Sequence, residues 1–301
     1  MLKINQLIII ELFFLLMISG CSLKKDEKQK GISPDEYLSV SQDSANSLKT
    51  VIIPEEIPFR FLLQFADGNQ SKFNLWLPEL IIFNCDSLRS IHDFPVDTVW
   101  FKNKILGYSV IGISDNGKYS VKYNYDIRIL QENVISVIVR IFNIGEEELT
   151  DYAQIAVCVS PISEEFSDKQ GSRTYIIKNN KLVSIKDLDI VNTYNHYPVK
   201  DHSDSFDPDQ RTAISDNFVC RQNVTRDFYC SITWDKSVRI DVNPGGLDCF
   251  HSHPSIGPLK PGDSLCRYGI IYFSKSSGMD AYEQNNSFLE ATMKSMDCIE
   301  N

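Results

Sequence analysis

Residues 121–129 read VKYNYDIRI. Val121, Tyr123, Tyr125, Ile127 and Ile129 alternate with Lys122, Asn124, Asp126 and Arg128. A period of two with one polar side is the pattern of a half-buried antiparallel strand, because successive side chains of an extended chain point to opposite faces. Gln131-Glu132-Asn133 turns the chain into VISVIVRIFN at 134–143. That run is apolar on both faces and reads as a central strand. The two runs form a hairpin around which the chain is organised.

The same texture extends both ways. Upstream stand PFRFLLQF (58–65), FNLWL (73–77) stopped by Pro78, TVWF (98–101) and ILGYSVIGIS (105–114). Asp115-Asn116-Gly117 follows as a hairpin turn, since Asn and Gly tolerate positive φ. Downstream come YAQIAVCVS (152–160), then RTYIIK (173–178) and KLVSI (181–185) around Asn179-Asn180, a two-residue hairpin signal. Strand runs resume at NFVC (217–220), FYCSITW (228–234), VRIDV (238–242) and CRYGIIYF (266–273), with a type II turn signal at Pro261-Gly262. Only 279–296, MDAYEQNNSFLEATMKSM, reads as a helix. Many short strands without β–α alternation predict an all-β fold, a large antiparallel β-sandwich with a short C-terminal helix. Residues 51–301 are assigned to this single domain.

The N-terminus has another character. Residues 1–21, MLKINQLIIIELFFLLMISGC, carry Lys3, an apolar stretch interrupted by Glu11, and Ile18-Ser19-Gly20-Cys21. This resembles a bacterial lipoprotein signal with its lipobox. The resemblance implies cleavage after residue 20, acylation of Cys21 and membrane lipid as a partner. An ordinary secretory signal and an uncleaved anchor are the alternatives. The apolar run is shorter than the roughly 20 residues a spanning helix needs. Residues 21–50 are charged, Ser-rich and poor in large apolar groups, the composition of a flexible tether. Such a tether spans on the order of 30 Å. Lys24-Lys25-Asp26-Glu27 resembles the export tag of surface lipoproteins. The expected location is the cell envelope, lipid-anchored at the outer membrane or the cell surface.

The net charge of −10 argues against nucleic acid and anionic lipid as binding partners. Seven cysteines remain besides Cys21, an odd number, and none forms a C-x-x-C. Export permits disulfides. Cys220 with Cys230, and Cys249 with Cys266, flank hairpin-like stretches and are the candidate bridges, free buried thiols being the alternative.

Residues 234–273 carry a Trp-bearing strand, then Cys-x-His-x-x-Pro, a Pro-Gly-acid turn and a Gly-x-x-Tyr-Phe strand. This succession, with RTYI (173–176) and VISVIVRIFNIGEEEL (134–149), resembles an uncharacterised family of exported bacterial β-sandwich proteins. More weakly it is similar to galactose-mutarotase-like supersandwiches, which bind sugars.

Candidate site residues follow. His251 and His253 stand two apart, so on a strand both imidazoles share a face. They suit acid–base work or metal ligation, and are expected on an exposed loop at the rim of a cleft. The alternative is a pair of structural histidines. Arg211 and Trp234 are candidate ligand contacts, with Trp76 and Trp100 as further stacking surfaces. Asp204, Asp207 and Asp209, in a long polar connection, are a candidate Ca²⁺ site without EF-hand spacing; no other cofactor is expected. No G-x-S-x-G elbow occurs. The functional expectation is a tethered extracytoplasmic sandwich that binds a ligand, carbohydrate first. Alternatives are a sugar isomerase or a polysaccharide lyase or hydrolase on the same scaffold, and a structural or protein-binding envelope lipoprotein.

Overall fold

The structure is a computed structural model. It describes residues 38–39, 50–54, 60–65, 71–84, 87–90, 96–102, 105–114, 117–188, 195–199, 216–243 and 248–295. The chain divides into two units, Met1–Glu36 and Tyr37–Asn301. The first, with Cys21 and most of the expected tether, lies outside the described residues. Strand pairing begins at Leu38, within the stretch read as tether.

Two nine-stranded antiparallel sheets make up the second unit. The first contains β1 (Leu38–Ser39), β2 (Thr50–Pro54), β3 (Arg60–Phe65), β4 (Ser71–Asn84), β5 (Ser87–Ser90), β10 (Gln154–Pro161), β13 (Asn195–Pro198), β16 (Ser237–Asn243) and β17 (Cys249–Pro254). Its spatial order is β1-β2-β3-β4-β10-β17-β16-β13, with β5 also on β4. The second contains β6 (Val96–Lys102), β7 (Ile105–Ile113), β8 (Ser120–Gln131), β9 (Val134–Asn143), β11 (Thr174–Lys178), β12 (Lys181–Ser184), β14 (Val219–Gln222), β15 (Tyr229–Trp234) and β18 (Ser264–Ser274). Its order is β12-β11-β14-β15-β18-β9-β8-β7-β6. The expected all-β sandwich is therefore observed, with helix α1 (Gly278–Ser295) at the C-terminus.

Alternation decides which face each residue takes. In β8, Val121, Tyr123, Tyr125 and Ile127 are fully buried between the sheets. In β9, Ile135, Val137, Val139 and Ile141 face that core, while Val134 and Ile138 join a second cluster on the far side. Helix α1 covers this far side with Ala281 and Leu289. Asn285 Nδ2 donates to Ser231 Oγ at 2.6 Å. The apolar character of β18 on both faces thus has a cause, since it lies between the core and the helix, and Val134 and Ile138 of neighbouring β9 extend the same cluster. Ser277 starts the helix, its hydroxyl accepting from the Asp280 N–H at 3.2 Å while its own N–H donates to the Asp280 carboxylate. Between the sheets, Phe65 of β3 stacks on Phe273 of β18 with ring centroids 4.3 Å apart.

Two boundaries differ from the sequence reading. Pro78 does not stop its strand, for β4 runs from Ser71 to Asn84. Proline lacks an N–H for the ladder, and the pairing with β10 is irregular there: Trp76 pairs with Cys158 and Leu80 with Ala156, leaving Leu77, Pro78 and Glu79 opposite Val157 alone. The segment CFHSHP is a strand, β17, paired on both sides by β10 and β16, where an exposed loop was expected. The turn readings at Asn179-Asn180 and Gly262 hold, with φ of 53°, 57° and 83°.

Candidate functional site

The site is built on four neighbouring strands of the first sheet. Register places Asp241 of β16 opposite His251 of β17, and His251 opposite Cys158 of β10. One step along, Asn243 pairs with Cys249, and on the other side Arg239 pairs with His253. The intervening residues Ile240, Val242, Phe250, Val157 and Val159 belong to the inter-sheet core. By alternation, Arg239, Asp241, Asn243, Cys158, Cys249, His251 and His253 share the opposite, outer face. Glu79 joins them through the irregular segment of β4. Its parity matches Leu77 and Ile81, which are core residues, yet its carboxylate reaches His251. The extra residues opposite Val157 turn it outward.

The geometry is tight. His251 Nε2 lies 2.7 Å from Glu79 Oε2 and 3.6 Å from Cys249 Sγ. Asn243 Nδ2 donates to Cys249 Sγ at 3.4 Å. The ligand atoms of Cys158, Cys249 and His251 all lie within 4.8 Å of one another. Asp241 Oδ2 stands between two nitrogens, His253 Nε2 at 2.9 Å and Arg239 Nη2 at 3.1 Å. The two imidazole centroids are 5.9 Å apart. His251 and His253 are 4% and 2% exposed, so the expectation of rim histidines on a loop is corrected: they form a buried floor. Glu79 and Arg239 side chains, 28% and 18% exposed, reach the surface. His251 Nδ1 and both ring nitrogens of His253 have no hydrogen-bond partner among the described residues, the approach of His253 Nε2 to Asp241 being a close charge contact only.

Electrostatics separates the two imidazoles. Burial alone lowers the basicity of His251, but Cys249 and Glu79 outweigh it and raise the pKa well above the ordinary value. For His253 burial prevails over the attraction of Asp241, and the pKa falls to about 4. Burial raises Glu79, yet the hydrogen bond with His251 and the charges of both imidazoles leave it below its usual range. The hydrogen bond from Cys158 lowers Cys249 to about 5, against burial, while burial pushes Cys158 up. These shifts favour the charged forms of Cys249, Glu79 and His251 and the neutral form of His253.

The other candidates fare differently. Trp234 is 1% exposed and packs in the inter-sheet core, which corrects its assignment as a ligand contact: an indole with no free face cannot stack on a sugar. Trp76 is half-buried under the Arg60 guanidinium, 5.0 Å from the ring centre. Arg211, Asp204, Asp207 and Asp209 lie outside the described residues, as do the side chain of Trp100 and the whole of Cys21. Cys220, Cys230 and Cys249 carry free thiols, so neither expected bridge forms. Cys220 pairs with Ser231 and Cys230 with Arg221, which puts the two sulfurs on opposite faces of the sheet. Cys266 is disulfide-bonded, and Cys249 is not its partner. Glu79, Cys158 and Asp241 were missed in the sequence. Only the even alternation within VRIDV hinted that Asp241 shares a face with Arg239.

No protein-family model matches the sequence, and no curated protein matches it. Solved structures do. The α-N-acetylgalactosaminidase of Bifidobacterium bifidum, in its GalNAc complex, superposes with a TM-score of 0.51 at 11% identity, over 85% of this chain and 39% of that one. An aldose epimerase homologue from C. elegans gives 0.46 at 9% identity, over 80% and 99%. A galactose mutarotase-like protein from Lactobacillus casei gives 0.46 at 9%, over 79% and 100%. At such identities the likeness is one of fold alone. The fold and site define an antiparallel β-sandwich with a buried, titratable cluster on the outer face of one sheet.

Proposed function

We propose that this chain is a membrane-tethered extracytoplasmic lipoprotein whose sandwich binds a carbohydrate over the outer face of the first sheet. One observation carries the ligand-binding reading. Two buried imidazoles, each held by a carboxylate, keep Nδ1 without a partner on a face turned away from the core. Buried polar atoms are normally hydrogen-bonded, and an unmet one costs about 1–3 kcal/mol. A ligand rich in hydroxyls supplies donors and acceptors to both nitrogens. Glu79 and Arg239, at the exposed edge of the cluster, and the half-buried ring of Trp76 offer the polar and stacking contacts a sugar uses. The fold shared with a GalNAc-bound glycosidase is compatible with this choice of ligand. The tether and the envelope location rest on the sequence of residues 1–50.

A second reading, sugar isomerisation, is favoured by the pair itself: a protonated His251 beside a neutral His253 is an acid–base arrangement. The test is glycan-array and calorimetric binding by the full chain, with product analysis of each bound sugar. Asp241→Asn with His253→Ala should weaken binding about tenfold or more, from the loss of the imidazole's hydrogen bond to the ligand. Binding without turnover supports the module, and product formation supports the isomerase. Unchanged affinity in the folded double variant overturns the site, and capture of one envelope protein with no glycan bound replaces the reading.

A further inference from the structure

We propose that Cys158, Cys249 and His251 hold a mononuclear zinc ion that fastens β10 to β17 on the outer face, with Glu79 of β4 beside it. The ligand atoms of the three donors all lie within 4.8 Å of one another, Cys249 Sγ stands 3.6 Å from His251 Nε2, and Glu79 Oε2 lies 2.7 Å from the same nitrogen. Tetrahedral zinc with Zn–S of about 2.3 Å and Zn–N of about 2.0–2.1 Å puts S and N about 3.6 Å apart, which is the spacing present here. Two sulfurs and one imidazole suit zinc with its fourth position left to water, and the soft sulfurs select against Ca²⁺ and Mg²⁺.

The local sequence explains the convergence. Cys249-Phe-His251 places a thiol and an imidazole on one face of a strand. The ladder sets Cys158 directly opposite His251, and the irregularity at Pro78 delivers Glu79. All three inner donors are buried, 1–4% exposed, on a face that is not the apolar core. Burying two thiols and an imidazole together on this face is costly for folding unless a cation is shared among them. Both sulfurs bind as thiolates and His251 as neutral imidazole, so uptake of the ion releases protons to solvent. Zinc on Nε2 leaves Nδ1 open to a ligand, so the site can coexist with carbohydrate binding, and it excludes the acid–base reading that needs His251 protonated.

The experiment uses the full chain, purified in detergent with its thiols reduced, stripped with chelator and titrated with Zn²⁺ alone. One equivalent should remain after gel filtration, measured by atomic emission. Co²⁺ in its place should give a tetrahedral visible spectrum with thiolate-to-cobalt charge transfer, which needs no variant. Cys249→Ser and His251→Ala should abolish stoichiometric retention. Cys220→Ser, on the other sheet, should keep it. Folding of each variant is checked by circular dichroism. The proposal is overturned if the reduced, folded chain retains no zinc and gives no cobalt spectrum. It is equally overturned if Cys158→Ser/Cys249→Ser keeps the metal, or if protein isolated from its own compartment carries a Cys158–Cys249 disulfide.

Discussion

The indole of Trp234 lies directly on the backbone of Gly269, its partner across β15 and β18. A Cβ built at Gly269 would stand 2.8 Å from two of the ring carbons and 2.9 Å from a third. The ring is wholly buried, with core on its other side, and has no room to retreat.

Gly269→Ala should therefore destabilise the sandwich by overpacking, by about 1–3 kcal/mol. A urea melt gives the measurement. Stability within about 0.5 kcal/mol of the parent, the range of ordinary surface changes, would show that the indole can move and that the contact is loose. Trp234→Leu in the Gly269→Ala background should recover part of the loss, because it removes the atoms that the new methyl meets.

The thiols of Cys220 and Cys230 should resist alkylation in the folded chain and react only on unfolding. Cys220 faces the cluster under helix α1, Cys230 faces the inter-sheet core, and burial raises both thiols above their ordinary range. A reactive thiol needs access and thiolate character, and neither is present. Peptide mapping after iodoacetamide, with and without denaturant, checks this. Rapid native labelling at either position, or a linked Cys220–Cys230 peptide, contradicts the strand register.

Much of the fold was legible because alternation is a local signal. The hairpin of β8 and β9 follows from residues 121–143 alone, and β9 spans the residues read as a strand. Pro78 misled because a proline inside a strand is tolerated where the ladder is irregular, and irregularity depends on the partner strand. The site was less legible. His251 and His253 were identified, but their burial depends on neighbours at positions 158 and 241, far off in sequence. Cys249 was assigned to a disulfide for the same reason: spacing brings Cys249 and Cys266 close along the chain, whereas the ladder pairs β17 with β10 and β16. Trp234 read as a ligand contact because its type suits both cores and sugar sites, and only Gly269 opposite it decides between them.

Cys21→Ala should release the protein from membranes or leave it as an unprocessed precursor. The expectation rests on Ile18-Ser19-Gly20-Cys21 after an apolar run. Each buried CH₂ of an acyl chain contributes about 0.8 kcal/mol, and stable anchoring takes more than one chain. Fractionation with a blot for the sandwich reads the result. A mature-sized chain still held in the membrane fraction of that variant would sink the lipoprotein assignment, and would leave the sandwich and its outer-face cluster unaffected.

Asp248→Asn should be among the most damaging single changes in the sandwich. Arg221 of β14 is fully buried, and its Nη1 donates to Asp248 Oδ1 at 2.7 Å and to the Asp248 carbonyl at 3.0 Å. Its Nε donates to Thr174 Oγ1 at 2.9 Å. Asp248 in turn accepts the Asp168 N–H on both carboxylate oxygens, at 3.2 and 3.0 Å. Asp168 continues the network, accepting from the Arg173 N–H and the Thr174 hydroxyl, each at 2.8 Å. The network joins the 164–174 segment and β14 to the start of β17, the strand that carries Cys249 and His251. Asparagine keeps the shape of Asp248 but leaves the guanidinium without its nearest counter-charge. Removing one partner of a buried ion pair costs about 3–5 kcal/mol. Arg221→Met with Asp248→Asn should cost less than Asp248→Asn alone, since no uncompensated charge then stays buried. Chemical denaturation of the single and double variants checks both statements. A double variant at least as unstable as Asp248→Asn would show that Arg221 contributes through its hydrogen bonds to Thr174 and the backbone, and that its charge is of little consequence.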